Sequence, residues 1–205
     1  MALLVSSTSP QAKQRKSLRL SLPWGKLRKP FFVLLLILLV NGFGADQAQA
    51  QSKEYQIKAA FLFNFAQFVK WPGTSFPTPD APFCIGILGD DPFGGALEET
   101  IQGETIDNRK LTLQHARNFE ELQGCQMIFV SKSEESHVGQ ILSQLDSKPI
   151  LLVSDINSFA KSGGAIGFYL QEGKVRFAIN PSTAQRGGLR VSSQLLNLGK
   201  IVGGN

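Results

Sequence analysis

Histidine and cysteine are scarce in this chain, with two of each among 205 residues. The two cysteines and the widely separated His115 and His137 do not form the ligand cluster of a metal site, so we expect no metal and no cofactor. The patterns G-x-S-x-G, G-x-G-x-x-G and Walker A are all missing. Neither histidine has a recognisable acid or nucleophile partner in the sequence. We therefore expect that the protein is not an enzyme.

Long hydrophobic runs are also missing, apart from one near the start of the chain. Phe31 to Val40 are ten consecutive apolar residues, whereas a membrane-spanning helix needs roughly 20. The run follows a basic segment without acids (residues 1–30) and precedes Ala48-Gln49-Ala50. This order is typical of a secretory signal peptide. We predict that residues 1–50 are a signal cleaved after Ala50, and that residues 51–205 are one domain outside the cytoplasm. The alternative is an uncleaved membrane anchor.

The excess of positive charge belongs to the predicted signal. Its removal takes away seven of the 21 basic residues and one of the 16 acidic ones, which leaves 14 and 15. The mature chain is then almost neutral, so its composition does not indicate binding to nucleic acid.

The two cysteines, Cys84 and Cys125, both lie in the mature chain. An even pair in an oxidising compartment favours a disulfide. The alternative is two buried free thiols.

Apolar runs and helical periodicity alternate along the mature chain. A helix is predicted at Ser52–Val69, because Ile57, Phe61, Phe65 and Phe68 recur at helical spacing. Strands are predicted at Phe83–Leu88, Leu111–His115, Met127–Val130 and Ile150–Val153, with helices between them at Phe93–Ile101, Asn118–Leu122 and Ser136–Leu145. A hairpin of Ala165–Leu170 and Lys174–Ile179, with a three-residue turn, and a closing helix at Pro181–Ile201 follow.

This alternation predicts an α/β fold: three layers around a mostly parallel, Rossmann-like sheet, with an N-terminal helix, a C-terminal β-hairpin and a closing helix. In the common doubly wound strand order 2-1-3-4, the first and third strands are neighbours. Cys84 and Cys125 would then lie at the same end of adjacent strands, at a spacing that a disulfide accepts.

Three acids, Asp90, Asp91 and Asp155, are predicted at the carboxyl ends of strands. Such a cluster could bind a divalent cation, and an enzyme that uses it is one alternative function. The other interpretation is that Asp90 and Asp155 cap helices or turns. The loop at residues 89–95 follows a strand but matches no phosphate-binding motif.

Several segments together resemble the YfiR family of bacterial periplasmic proteins, across nearly all of residues 54–201. The matching segments are Lys58 to Phe65, Lys70-Trp71-Pro72, Gly86 to Gly94, Ser154-Asp155-Ile156, Phe159 with Gly163-Gly164, Val175 to Asn180, and Gly188 to Leu196.

The resemblance implies a function that the residues alone do not indicate. Proteins of this family repress an inner-membrane diguanylate cyclase through its periplasmic domain, which controls cyclic di-GMP and biofilm formation. It also implies an outer-membrane lipoprotein as a further partner, and a homodimer. Trp71 and Arg176 are candidate partner-binding residues. No cysteine follows Cys125, so the second disulfide found in the family cannot form in this chain. A periplasmic small-molecule binding domain, with its ligand at the carboxyl edge of the sheet, is the remaining alternative.

Overall fold

The computed structural model describes residues 49–145 and 147–203. The predicted signal therefore lies outside the described residues, apart from its last two positions, and its cleavage stays a prediction.

Five helices and ten strands form the described part of the chain. Helix α1 covers residues 49–68. The further helices are α2 (Ala96–Ile101), α3 (Val138–Leu145), α4 (Pro181–Arg186) and α5 (Ser193–Leu198), and there are 3-10 helices at Gly73–Ser75, Phe119–Leu122 and Lys132–His137. The strands are β1 (Val69–Lys70), β2 (Phe83–Leu88), β3 (Thr105–Ile106), β4 (Arg109–Ala116), β5 (Met127–Val130), β6 (Leu151–Ser154), β7 (Ile166–Gln171), β8 (Lys174–Ile179), β9 (Arg190–Val191) and β10 (Lys200–Ile201).

Eight of the strands form one sheet, in the order β10-β8-β7-β6-β5-β2-β4-β3. Its five central strands, β7, β6, β5, β2 and β4, are parallel to one another. The four strands that the sequence analysis predicted before the hairpin lie in the predicted order 2-1-3-4. Both β2 and β5 have the predicted bounds. The strands β2, β5 and β6 are continuous apolar runs because both faces of each are buried, whereas β4 alternates and is exposed on one face.

Helix α1 covers one face of the sheet. Its Ala59, Leu62, Phe65 and Ala66 are completely buried and belong to a core that includes Phe83 and other strand residues. The apolar stripe that predicted this helix is therefore a core face. Among the described residues, no helix combines the length and the apolar character that crossing a membrane requires.

A second core lies on the opposite face of the sheet. Strand β5 shows the division, since Met127 and Phe129 point into the first core while Ile128 and Val130 point into the second. Helix α3 contributes Ile141 to this second core. Two helical layers thus enclose a mostly parallel sheet, and the predicted three-layer α/β class is confirmed.

The hairpin of β7 and β8 is confirmed, but the predicted three-residue turn is wrong. Gln171 pairs with Lys174, which leaves only Glu172 and Gly173 in the turn. Both have positive φ, at 52° and 70°. This is the arrangement of a two-residue turn whose backbone twist matches that of the flanking strands.

The predicted single helix at Pro181–Ile201 is also wrong. The chain forms α4, breaks at the glycine pair 187–188, adds β9 beside β1, and then forms α5 and β10. Gly188 has a φ of 74°, which ends the helical path. The Ser192 hydroxyl then accepts a hydrogen bond from Leu195 N and begins α5 as its N-cap.

Two other helices begin later than predicted. Gly94 and Gly95 both have positive φ, so α2 begins at Ala96 rather than at Phe93. The segment before α3 is a 3-10 helix up to His137.

Candidate functional site

The most deeply buried charges in the described chain meet at the carboxyl edge of the sheet. Asp155 directly follows β6, and its side chain is only 3% exposed. Ser154 shapes this turn, because its hydroxyl donates to Val130 O (2.7 Å) and accepts from Ile156 N (3.0 Å). The turn therefore directs an acidic side chain into the protein rather than toward solvent.

Helix α1 supplies the partners of this carboxylate. Lys58 Nζ lies 2.5 Å from Asp155 Oδ2 and 2.5 Å from Glu54 Oε1. The Tyr55 hydroxyl donates to Asp155 Oδ2 at 2.8 Å, and Lys58 Nζ lies 4.1 Å from the centre of the Tyr55 ring. Lys132, in the 3-10 helix after β5, reaches the same oxygen at 3.8 Å. We call Glu54, Tyr55, Lys58, Lys132 and Asp155 the edge network.

Helical spacing brings the α1 members together. Glu54 and Lys58 are four residues apart, and Tyr55 and Lys58 are three apart, so all three project from the same side of the helix. Burial raises the pKa of Tyr55, and the hydrogen bond to Asp155 and the nearby negative charges of Asp155 and Glu54 raise it further. Tyr55 therefore remains a neutral hydroxyl that donates to the carboxylate.

Chemically, the edge network is a set of opposite charges that pair with one another. Lys58 is held as a cation between two carboxylates, and Asp155 Oδ2 accepts from every partner that reaches it. Asp155 Oδ1 has no hydrogen-bond partner among the described residues. The arrangement joins α1 to the end of β6, which is a structural and positioning role.

A cleft of about 700 Å³ opens beside this network. Glu54, Tyr55 and Ile57 of α1 line one side, and Leu170 and Val175 of the hairpin line another. Lys132 also lines the cleft. Its walls therefore combine apolar surface with groups of both charges.

The three acids of the predicted cation site do not form a cluster. Asp90 pairs with Arg117 at 3.0 Å, and Asp91 lies 3.3 Å from His115 Nε2, whereas Asp155 is buried against Lys58. Across residues 49–145 and 147–203, no group of three or more His, Cys, Asp or Glu side chains could hold a metal ion. The acid-cluster alternative is therefore wrong, because each of the three carboxylates has a different partner.

The capping interpretation of these acids needs a correction too. Asp91, rather than Asp90, accepts a backbone hydrogen bond, from Phe93 N at 2.8 Å. Asp155 is an ion-pair residue and not a cap.

The predicted disulfide is confirmed. Cys84 on β2 is bonded to Cys125, which lies just before the neighbouring strand β5. Their Cα atoms are 4.5 Å apart. Gln126 supports them, because its N donates to Cys84 O and its Oε1 accepts from Cys84 N at 2.8 Å. The bridge thus ties the amino ends of two adjacent parallel strands together.

The two candidate partner-binding residues lie in different surroundings. The Trp71 indole donates to Gln126 O at 3.0 Å. Its ring packs edge-on against the Phe83 ring, with the two ring centres 4.8 Å apart. These contacts give Trp71 a role in the fold. Arg176 lies on β8 opposite Tyr169, and its side chain is exposed. A role for either in partner binding stays a prediction.

Sequence reasoning missed the pairing of Lys58 with Asp155. One signal was present, because Lys58 precedes the buried Ala59 and Leu62 by one and four positions and so lies on the apolar side of the helix. A lysine on a core-facing stripe requires a buried acid as its partner. The sequence does not say which acid provides it.

Comparison with known families places the chain in a class. A family model described as YfiR/HmsC-like (DUF4154) matches residues 55–200, which include every strand from β1 to β9. The family is one of periplasmic regulators of cyclic di-GMP signalling, regulatory rather than catalytic. This chain belongs to the YfiR/HmsC-like family.

One solved structure is similar to part of the chain. It is the ABC domain in complex with L-Trp from Streptococcus pneumonia, with 12% sequence identity and a TM-score of 0.44. The match covers 58% of this chain and 55% of that one, so the chain spans about half the length of that structure. At this score the similarity supports no conclusion about function.

Proposed function

We propose that this protein represses an inner-membrane diguanylate cyclase or sensor protein by binding its periplasmic domain. Family membership carries this proposal, since the family regulates cyclic di-GMP signalling from the periplasm. Repression would lower cyclic di-GMP and limit biofilm formation. An outer-membrane lipoprotein would release the repression, and a homodimer would be the binding unit.

The geometry of the buried charges supports a binding role over a catalytic one. The edge network uses its charged groups to hold α1 on the sheet, and the two described histidines pair with acids at the surface. The disulfide and the two cores give a rigid scaffold. A rigid scaffold that presents an exposed hairpin suits recognition of another protein.

Deletion of the gene tests this function directly. Cellular cyclic di-GMP should rise in a strain that expresses the membrane cyclase, and a plasmid copy of the wild-type gene should restore the original level. An unchanged level after deletion would contradict the proposal. The matched control is deletion in a strain that also lacks the cyclase, where no rise is expected.

A periplasmic small-molecule binding domain is the second candidate, and the 700 Å³ cleft beside the edge network favours it. The carboxyl edge of a parallel sheet is a usual ligand position. Thermal-shift measurements of residues 51–205 against classes of small metabolites test it. A stabilising ligand should lose its effect in Leu170→Asp, whereas absence of any stabilising ligand rules this candidate out.

A further inference from the structure

Within residues 49–145 and 147–203, no helix lies over one face of the hairpin. On β8, Val175, Phe177 and Ile179 point into the first core, so the alternate residues Lys174, Arg176 and Ala178 point to the other side of the sheet. There the second core covers β2, β5 and β6. It contains no residue of β7, β8 or β10.

The register of the three strands shows which side chains share this face. Arg176 lies opposite Tyr169, and Ala178 lies between Gly167 on β7 and Lys200 on β10. Tyr169, Arg176 and Lys200 are all exposed. We call this surface, made by Tyr169, Lys174, Arg176, Ala178 and Lys200, the hairpin face.

A groove of about 210 Å³ runs along the hairpin face. Ala178 lines it and is partly exposed, whereas Gly167 is buried against Phe159 and Ala160 of the loop after β6. Tyr169 and Lys200 also line it, together with Lys161 from the loop after β6. A groove that combines an aromatic ring with two lysines can accept an extended or helical segment bearing carboxylates.

The charge of the hairpin face differs from that of the rest of the molecule. Residues 147–203 contain seven basic and two acidic side chains, whereas residues 80–137 contain four basic and eleven acidic ones. Among the described residues, no ion pair involves the cationic side chains of the face or of its groove: Lys161, Lys174, Arg176 and Lys200. The residues that form the hairpin face or line its groove therefore include four cations and no acid.

We propose that the hairpin face is a docking surface for an acidic segment of the partner's periplasmic domain. This inference rests on the proposed function and adds to it the surface and the chemistry of the partner. Carboxylates of the partner would pair with Arg176, Lys174 and Lys200, and Tyr169 would supply the apolar contact at the centre. Such a surface would raise the association rate and make it sensitive to salt.

Complementation of the deletion strain tests the surface separately from the function. Arg176→Glu/Lys200→Glu should fail to restore the low cyclic di-GMP level, and the neutral Arg176→Gln/Lys200→Gln should restore it only in part. Lys110→Glu is the control, because Lys110 is an exposed lysine on β4, near the opposite edge of the sheet. Equal periplasmic amounts and unchanged melting temperatures establish that the variants fold.

The outcomes distinguish the two proposals. If deletion does not raise cyclic di-GMP, the proposed function fails. If deletion raises cyclic di-GMP and the Arg176→Glu/Lys200→Glu variant complements fully, the proposed function stands. The proposal that the partner docks on the hairpin face is then wrong.

Site-specific photo-crosslinking identifies what covers the face. A photoreactive phenylalanine at position 169 of the full chain, expressed in its own host, should crosslink to a peptide rich in Asp and Glu from the periplasmic part of an inner-membrane protein. The same residue at position 110 should not. Crosslinks only to a second copy of this chain, to lipid, or to nothing would overturn the proposal.

Discussion

Lys58 places a positive charge inside the first hydrophobic core, with its side chain only 2% exposed. Removing such a charge from water costs several kcal/mol unless partners compensate for it. Glu54 and Asp155 provide two carboxylates, and Tyr55 adds a hydrogen bond to the second of them. At the scale of single residues, the docking of α1 therefore depends on a few buried polar contacts.

The Asp155→Ala substitution should lower the free energy of unfolding by about 3–5 kcal/mol, because it leaves Lys58 buried without its main partner. The double variant Lys58→Met/Asp155→Leu should recover most of that loss. Urea unfolding measures both. Asp90→Ala is the control, since the exposed Asp90–Arg117 pair should contribute at most about 1 kcal/mol. Equal losses of unfolding free energy in Asp155→Ala and Asp90→Ala would contradict a stabilising role for the edge network.

Ionisation of Tyr55 makes the free energy of unfolding depend on pH in the alkaline range. Its pKa in the folded protein is raised above the unfolded value of 10.0 by burial and by Asp155. The neutral hydroxyl therefore stabilises the fold fully below about pH 10, and this contribution is lost as the pH rises further. Tyr55→Phe should be less stable at neutral pH by about 1 kcal/mol and should lose less stability above pH 10. Parallel pH dependences of the two proteins, measured by denaturant unfolding, would refute this.

Two connections decide how the elements of this fold meet. The two-residue turn at Glu172 and Gly173 sets the register of β7 and β8, and with it the side chains that share the hairpin face. The Cys84–Cys125 bridge joins β2 to the start of β5 at the opposite end of the strands from the edge network. Glu172 and Gly173 belong to neither core, so the turn can be tested without altering either one.

Gly173→Ala should destabilise the protein by about 1–2 kcal/mol, because alanine has no free access to a φ of 70°. Steric contact is not the reason, since no atom lies within 4 Å of the added carbon. Gly139→Ala is the matched control. Gly139 lies in α3, where an added carbon likewise has no atom within 4 Å. Gly139→Ala should raise the free energy of unfolding by about 0.5–1 kcal/mol. Thermal unfolding of the two variants should therefore shift in opposite directions.

Loss of the disulfide should lower the free energy of unfolding by roughly 4 kcal/mol, as expected for a bridge between residues 41 positions apart. A reductant should shift the urea midpoint of the wild-type protein to lower concentration. It should have no effect on Cys84→Ser/Cys125→Ser, because the chain contains no other cysteine. A reductant effect that persists in the double variant would show that the bridge is not its cause.

At the scale of the whole molecule, the predicted export signal determines the net charge. The predicted signal carries seven of the basic residues, so its removal leaves an almost neutral protein. Four of the 14 remaining basic residues, Lys161, Lys174, Arg176 and Lys200, belong to the hairpin face or its groove, where docking is proposed. The isoelectric point of the full chain, about 9.3, includes the charges of the predicted signal.

The exported protein should begin at Gln51. Intact mass of the periplasmic fraction checks this, with the N-terminal glutamine either free or cyclised. Ala48→Leu/Ala50→Leu should accumulate as uncleaved precursor, because the processing enzyme requires small residues at those positions. A mature mass that includes the apolar run Phe31 to Val40 would support the membrane-anchor alternative.

The sequence alone was sufficient for the layers, the strand order and the disulfide. Continuous apolar runs such as Met127–Val130 identify strands that are covered on both faces, and the order of a doubly wound sheet then brings Cys84 and Cys125 together. These features depend on local patterns and on topology rules that many sequences share. Family membership was also visible, because the matching segments lie in order along the chain.

Only the tertiary structure decided the features that depend on distant residues. Lys58 and Asp155 are 97 positions apart, and nothing local tells a buried acid from one that caps a turn. The chain after Pro181 reads as one helix, yet a glycine pair and the pairing of β9 with β1 divide it. The hairpin face likewise exists because, in the described part of the chain, α1 covers only the opposite side of β7 and β8. Such outcomes follow from which surfaces meet in three dimensions, and hydrophobic periodicity carries no information about that.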